Sequence, residues 1–494
     1  MVSRAAFLLA LAALASCGSE PRRPNVVLFA VDTLRSDRLG CYGYDRPTSP
    51  FLDELAGQGT LFEDASAQAG WTLPSMVSMF TGRYLTAYRE KLPDDVPTLA
   101  ELYRAAGYRT IAVVANLGVN ASGGFDRGFD VYDLEAEEPR PGDTGARPRS
   151  IDTLTASLWK VLDDVPASSD QPLFLFVFPY DPHDPYYPHA SLAETLPPEG
   201  AEPVQPPTWH REVLSRHPAP APDVDPDWSK HLAQIQKQRG LYDQEVRFTD
   251  DGLRVIFEGL GARGILDGAV VAVASDHGEG LWEHRSLKKQ EELDRATPID
   301  LFYKAHGQHL YQEAVATPLI FWGAGVPRGL RVPHPVENTD LLPTLLELSG
   351  LAIPSTAHGV SLTPQFEPGA ARPHDTIHSF LYHQVTLRDV DSGLKILVPT
   401  DASIKRVEPE RELFHLASDP HERRNLWAER ADDVKRLETL VRTWEAQFPD
   451  AEGWTIEQDP EQLELMRALG YTEDELNRGA ENAPPPHAHS TDGN

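Results

Sequence analysis

The chain has 494 residues, 40% of them hydrophobic, which supplies enough apolar material for a large buried core and excludes a disordered chain. Its 75 acidic and 45 basic residues leave a formal net charge of −30. That balance argues against a nucleic-acid partner and against adhesion to anionic lipid through basic patches, so any anion-binding site has to be a local feature.

The first residues, MVSRAAFLLALAALASCGSE, carry Arg4, an apolar run from Ala5 to Leu14, and then Leu14-Ala15-Ser16-Cys17. The apolar run is too short to cross a bilayer and reads as an export signal. Its last four residues resemble a bacterial lipobox, which implies residues 1–16 as a signal peptide, lipidation of Cys17, a linker over 17–23 and a membrane attachment through acyl chains alone. An ordinary secretory signal cleaved nearby is the alternative. With Cys17 consumed, Cys41 stands alone and no intramolecular disulfide is available.

Three short apolar runs share one pattern. NVVLFAVDT (25–33), PLFLFVFPYDPHDPYY (172–187) and GAVVAVASDHGEG (268–280) are each continuous enough for a strand covered on both faces, and each ends in carboxylates or histidines. Between them lie helical patterns, VPTLAELYRAAGY (96–108) and GLYDQEVRFTDDGLRVIFEGLGARG (240–264). The stretch AGWTLPSMVSMFTGRY (69–84) reads as a loop running into a helix. There Thr72 and Ser75 suit helix caps, while Thr72 also suits a nucleophile at the positive end of a helix dipole.

Two insertions interrupt this plan, one near 189–239 that is Pro-rich over 189–228, and a charged one near 283–304. Either is a solvated loop or a lid. After the helical TDLLPTLLELSGL (339–351), residues 375–470 read as a smaller α+β subdomain, and 471–494 as a disordered tail.

Strands alternating with helices predict an α/β fold: a large doubly wound, mostly parallel sheet whose ligand sites lie beyond the carboxyl ends of its strands. Asp32, Asp181, His183, Asp276 and His277 are then expected on one edge. Asp32, Asp276 and His277 make a ligand set for one divalent cation, and mixed carboxylate and imidazole donors favour zinc or manganese over calcium. The Thr72 oxygen would complete that set and be activated by it.

The run PNVVLFAVDTLRSDRLGCYGYDRPTSPFLDELAGQGTLFEDASAQAGWTLPSMVSMFTGRY resembles the start of a sulfatase-family hydrolase of the alkaline phosphatase superfamily. GFDRGFDVYD (124–133), YDPHDPYYPH (180–189), VAVASDHGEGLWEH (271–284), AHGQHLYQEAVATPLIFWG (305–323) and ELFHLASDPHERRNL (412–426) agree with it in order. The resemblance implies an alkaline phosphatase-like catalytic domain over 24–374 acting on an anionic ester. It also implies metal ligands at Asp32, Asp276 and His277, and a nucleophile at Thr72. His183 and His306 match histidines that contact the substrate anion or the leaving group, and Arg35 and Asn116 match weaker substrate-positioning places; His284 and His309 match none.

The departures from the family pattern direct the reading. Sulfatases carry Cys or Ser followed by x-Pro-x-Arg, whose first residue becomes formylglycine; here the run is Thr72-Leu73-Pro74-Ser75-Met76. Thr33 stands where a second Asp is common, and His277 where calcium-binding members have Asn. Each change leads toward threonine-nucleophile, transition-metal members that act on phosphate or phosphonate esters. A non-catalytic lipoprotein that binds sulfated or phosphorylated glycans, or a head-group phosphotransferase, are the alternatives. No motif specifies the natural substrate or the oligomeric state.

Overall fold

The computed structural model describes residues 22–84, 91–137, 147–164, 171–198, 228–285, 302–381, 384–399 and 411–447. The signal segment with Cys17, most of the Pro-rich insertion, residues 286–301 and the tail lie outside the described residues. No described helix is long and apolar enough to cross a membrane.

The main sheet is built on β1 (Val26–Val31), whose six residues VVLFAV are all buried. The β-branched and aromatic residues of such a run fit a strand covered on both faces. Val26, Leu28 and Ala30 enter one apolar core and Val27, Phe29 and Val31 enter another. Both faces of the sheet are therefore covered, the doubly wound arrangement expected.

The remaining strands are β2 (Thr60–Ser66), β3 (Arg109–Val114), β4 (Val131–Leu134), β5 (Leu173–Phe178), β6 (Val270–Ser275), the hairpin β7 (Gly280–Arg285) and β8 (Phe302–Ala305), then β9 (Ala316–Gly323), β10 (Leu330–Val332) and β11 (Val336–Glu337). The main sheet runs β10-β2-β9-β6-β1-β5-β3-β4, with β11 beside β2. Only β9 runs antiparallel to its neighbours, β2 and β6. The parallel core β6-β1-β5-β3 puts the carboxyl ends of four strands side by side. Asp276 and His277 follow β6, Asp32 follows β1, Asn116 follows β3 and His183 follows β5.

Helices α1 (Pro50–Gln58), α4 (Ile151–Asp164) and α5 (Trp228–Ala262) cover one face, while α2 (Thr72–Thr81), α3 (Leu99–Ala105) and α7 (Leu341–Leu348) cover the other; α6 (Gln312–Val315) leads into β9. Helix α5 begins at Trp228, twelve residues before the expected start at Gly240. Nothing after Pro226 interrupts a helix, and Gly240 sits inside one because a Cβ there would lie 1.9 Å from the Pro198 carbonyl oxygen.

The charged insertion also differs from expectation at both ends. Glu283 lies in β7 and Lys304 in β8, and their charges pair within the protein: Glu283 with Arg35 and Arg239, Lys304 with Asp184. Ion pairs thus hold the two described ends of this segment. The smaller subdomain is an antiparallel sheet β12-β13-β14-β15 (Thr376–Phe380, Gln384–Asp389, Leu394–Pro399, Glu412–His415) with α8 (Ala431–Glu445) packed on it.

A candidate metal and nucleophile site

The floor of the site comes from the turn after β6. Asp276 Oδ1 accepts the amides of His277 (2.8 Å) and Thr33 (3.2 Å), while Oδ2 has no hydrogen-bond partner among the described residues. Asp32 repeats the arrangement: Oδ2 accepts from Asn116 Nδ2 at 2.6 Å and Oδ1 is left unpartnered. His277 Nδ1 lies 2.7 Å from the Gly278 carbonyl oxygen, which can only accept, so Nδ1 carries the proton and Nε2 keeps its lone pair. Two buried carboxylate oxygens without a donor among the described residues and the His277 Nε2 lone pair thus face one another.

These atoms lie within 4.8 Å of one another. Burial, then repulsion by Asp276, holds the Asp32 carboxyl well above its ordinary range, and burial pushes Asp276 up to about 7. Burial and then His306 hold His277 far below the usual imidazole range, so the ring is neutral. Two crowded carboxylates and a neutral imidazole form a donor set that fits a divalent cation, which would offset the unfavourable burial of both charges.

Thr72 stands over this floor. Trp71 is the N-cap of α2 in extended conformation, Thr72 is the first helical residue, and Pro74 is tolerated in the first turn because its missing amide would have no partner there. The expected capping role of Thr72 and Ser75 is not what the structure gives. Thr72 Oγ1 lies 3.1 Å from His277 Nε2, and Ser75 Oγ donates to the Asp276 carbonyl. A hydroxyl at the first helical position points away from the helix amides; the orphaned acceptors across the gap take its place.

His306 and His183 form the wall. The His306 ring centroid is 4.5 Å from that of His277 and 4.8 Å from that of His183. His183 stacks on Tyr180 and its Nδ1 donates to the Asp184 carbonyl at 2.5 Å, leaving Nε2 as an acceptor. Burial, then His306, lowers its pKa to about 3, so it too is neutral. The Gly307 amide donates to the Gly70 carbonyl at 2.8 Å, tying the His306 loop to the nucleophile loop.

Three further residues singled out in the sequence have partners within the protein. Asp181 turns away and accepts the Ile151 amide at 2.8 Å, capping α4. Asn116 donates its amide to Asp32 and accepts the Gly118 amide on its carbonyl oxygen, which fixes the Asp32 carboxyl. The Arg35 guanidinium is committed to Asp37, to Glu283 and to the Glu279 carbonyl at 2.8 Å. Sequence reasoning passed over Glu279, which is fully buried with Oε1 3.2 Å from His306 Nδ1; its place two residues past His277 was the only signal.

Comparison with known proteins agrees with the geometry. A Δ4,5-hexuronate-2-O-sulfatase of Bacteroides thetaiotaomicron is 24% identical over 452 residues, covering 84% of this chain and 87% of that protein. Human iduronate 2-sulfatase is 26% identical, covering 67% and 70%. A phosphonate monoester hydrolase of Agrobacterium radiobacter shares the fold, with a TM-score of 0.66 at 20% identity over 86% of this chain and 96% of that one. Residues 302–445 match the family described as N-sulphoglucosamine sulphohydrolase, C-terminal. Residues 24–351 match the Sulfatase family, and the chain belongs to that family of ester-bond hydrolases.

Proposed function

We propose that the chain hydrolyses phosphate or phosphonate esters in preference to sulfate esters, with Thr72 as the nucleophile. The observation that carries this reading is the Thr72 hydroxyl 3.1 Å from His277 Nε2, beside two buried carboxylate oxygens that lack partners among the described residues. Asp32, Asp276 and His277 would hold the cation, zinc or manganese by donor type, which supplies Lewis-acid polarisation of the hydroxyl and the ester oxygens.

Thr72 Oγ1 attacks the central atom and the bond to the leaving oxygen breaks. His306 passes the Thr72 proton to that oxygen, and then takes one from the water that releases Thr72 and returns it to Oγ1. Neutral His183 offers Nε2 to a hydroxyl of the leaving group or to the attacking water. Asn116 keeps Asp32 turned so that Oδ1 faces inward.

The choice of phosphorus over sulfur follows from the nucleophile. A formylglycine hydrate expels sulfate by collapsing to the aldehyde, whereas a threonine ester has no such exit and must be opened by water at the central atom. Met76, in the place of the sulfatase Arg, is fully buried in the core and brings no charge. The family relatives include sulfatases, and a phosphonate monoester hydrolase shares the fold.

Purified protein with zinc or manganese, assayed on matched nitrophenyl phosphate, phosphonate and sulfate esters beside Thr72→Ala, tests this. Phosphonate or phosphate turnover that vanishes in the variant is expected. A sulfate preference lost in Thr72→Ala refutes the reading, and equal traces in both proteins favour a binding lipoprotein. We also propose that Cys17 is lipidated and tethers the protein to a bacterial envelope membrane. A palmitate analogue should label the wild type and not Cys17→Ala; an unlabelled, freely soluble wild type refutes that part.

A further inference from the structure

We propose that Glu279 is a positioning residue that fixes the ring of His306 for proton transfer, an inference that rests on the hydrolase reading above. Glu279 is completely buried and its Oε1 lies 3.2 Å from His306 Nδ1. With the carboxyl oxygen as the acceptor, this contact puts the hydrogen on Nδ1. Nε2 is then the nitrogen left to exchange a proton with the ester, on a ring that already adjoins His277 and His183.

The backbone holds both partners in register. Gly280, the residue after Glu279, pairs with Ala305, the residue before His306, across the β7–β8 hairpin. A Cβ at Gly280 would lie 2.6 Å from the Tyr303 ring and 2.8 Å from the Ala305 carbonyl oxygen, so the strands approach more closely than a side chain allows. Ala305 has φ 77, a left-handed conformation that costs an L-residue energy and persists where the surroundings impose it. Arg35 Nη1 donates to the Glu279 carbonyl at 2.8 Å, and the Gly307 amide bonds the Gly70 carbonyl. Carboxylate and imidazole are thus carried by adjoining hairpin positions that are separately anchored to the loop after β1 and to the nucleophile loop.

In the first step the bond from the central atom to the leaving oxygen breaks as Thr72 Oγ1 bonds to that atom, the Thr72 hydroxyl proton passes to His306 Nε2, and Nε2 hands it on to the leaving oxygen. The Nδ1 hydrogen stays in its bond to Glu279 throughout. In the second step the water oxygen bonds to the central atom as the bond to Thr72 Oγ1 breaks, Nε2 takes the water's proton and returns it to Oγ1, and the hydroxyl is restored.

The test compares wild type, Glu279→Gln and Glu279→Ala on a phosphonate ester bearing either a nitrophenyl or an alkyl leaving group, with bound manganese measured in each. The alkyl ester needs its oxygen protonated and nitrophenolate does not. Glu279→Ala is expected to lower kcat for the alkyl ester by about 10²-fold or more and for the nitrophenyl ester by less than about tenfold, with KM little changed. Glu279→Gln, whose carbonyl can still accept from Nδ1, should recover part of the loss. Equal losses on both esters, or loss of manganese, overturn the proposal by assigning Glu279 to the fold or the metal site.

A second readout does not depend on turnover. Long-range ¹H–¹⁵N spectra, with His306 assigned through His306→Asn, should show the Nδ1–H form in wild type and a mixture in Glu279→Ala. An unchanged His306 signal in the Ala variant refutes the hold on the ring. Wild type inactive on every ester defeats the hydrolase reading instead, while the tautomer comparison still decides whether Glu279 orients His306.

Discussion

Asn116→Ala should weaken metal retention about 10- to 100-fold while leaving the sheet intact. Asn116 Nδ2 donates to Asp32 Oδ2 at 2.6 Å, a hydrogen bond on a carboxylate buried at 0% exposure. Removing a donor from a buried charged acceptor costs roughly 1.5–3 kcal/mol. At about 1.4 kcal/mol per tenfold, that equals the loss typical of groups that orient metal ligands. The direction of the pKa shift agrees: the Asn116 bond opposes the burial and the Asp276 charge that raise Asp32. Without it the carboxyl binds protons more tightly, so competition by protons should reach higher pH in the variant. Manganese or zinc affinity is measured by competition with a chelator at pH 6 and pH 8, with thermal unfolding as the fold control because Gly118 also loses its acceptor. Equal affinity in wild type and Asn116→Ala at both pH values would show that Asp32 does not need this partner, and the argument for its role would fail.

Other consequences follow from particular contacts. A Cβ at Gly278 would lie 2.0 Å from the Glu313 carbonyl oxygen, so Gly278→Ala should destabilise the fold by at least ~2 kcal/mol, read from urea unfolding; an unchanged midpoint would contradict that close approach. His284 packs on Tyr311 and pairs with Glu313, which raises the buried imidazole to about 9. A folded pKa above the unfolded value near 6.5 gives stability that is complete below about pH 6.5 and is lost as pH rises through 9, by about 3 kcal/mol at most. Unfolding midpoints at pH 6 and pH 9 should therefore differ in wild type and differ less in His284→Phe; an equal pH response in the two proteins would count against the pair.

How far the sequence led depends on what each residue's neighbours are. Asp32, Asp276 and His277 were legible because each ends an apolar strand, and parallel neighbours must bring such ends together. Asp181 ends a similar run yet caps α4, because the chain after β5 turns before its carboxylate reaches the site edge and leaves His183 to do so. The N-cap reading of Thr72 failed for a related reason. Local preference for a hydroxyl at a helix start is worth about 1 kcal/mol, while the position opposite His277 is set by β6 and the whole sheet. Arg35 matched a substrate-positioning place through the family resemblance alone; its partners Asp37, Glu283 and the Glu279 carbonyl include groups more than two hundred residues away, which no local pattern announces. Glu279 carried no signal beyond adjacency, since its role exists only once the hairpin sets it beside His306.

The central claim is that Thr72 becomes covalently bonded to the central atom of the ester. The most direct measurement mixes metal-loaded protein with a nitrophenyl phosphonate ester, quenches in acid on the millisecond scale and maps the modified peptide by mass spectrometry. The account predicts a phosphonyl adduct on Thr72 that appears with the nitrophenol burst, decays with turnover and is absent in Thr72→Ala. Steady turnover with no adduct on Thr72, or turnover retained in Thr72→Ala, would contradict it.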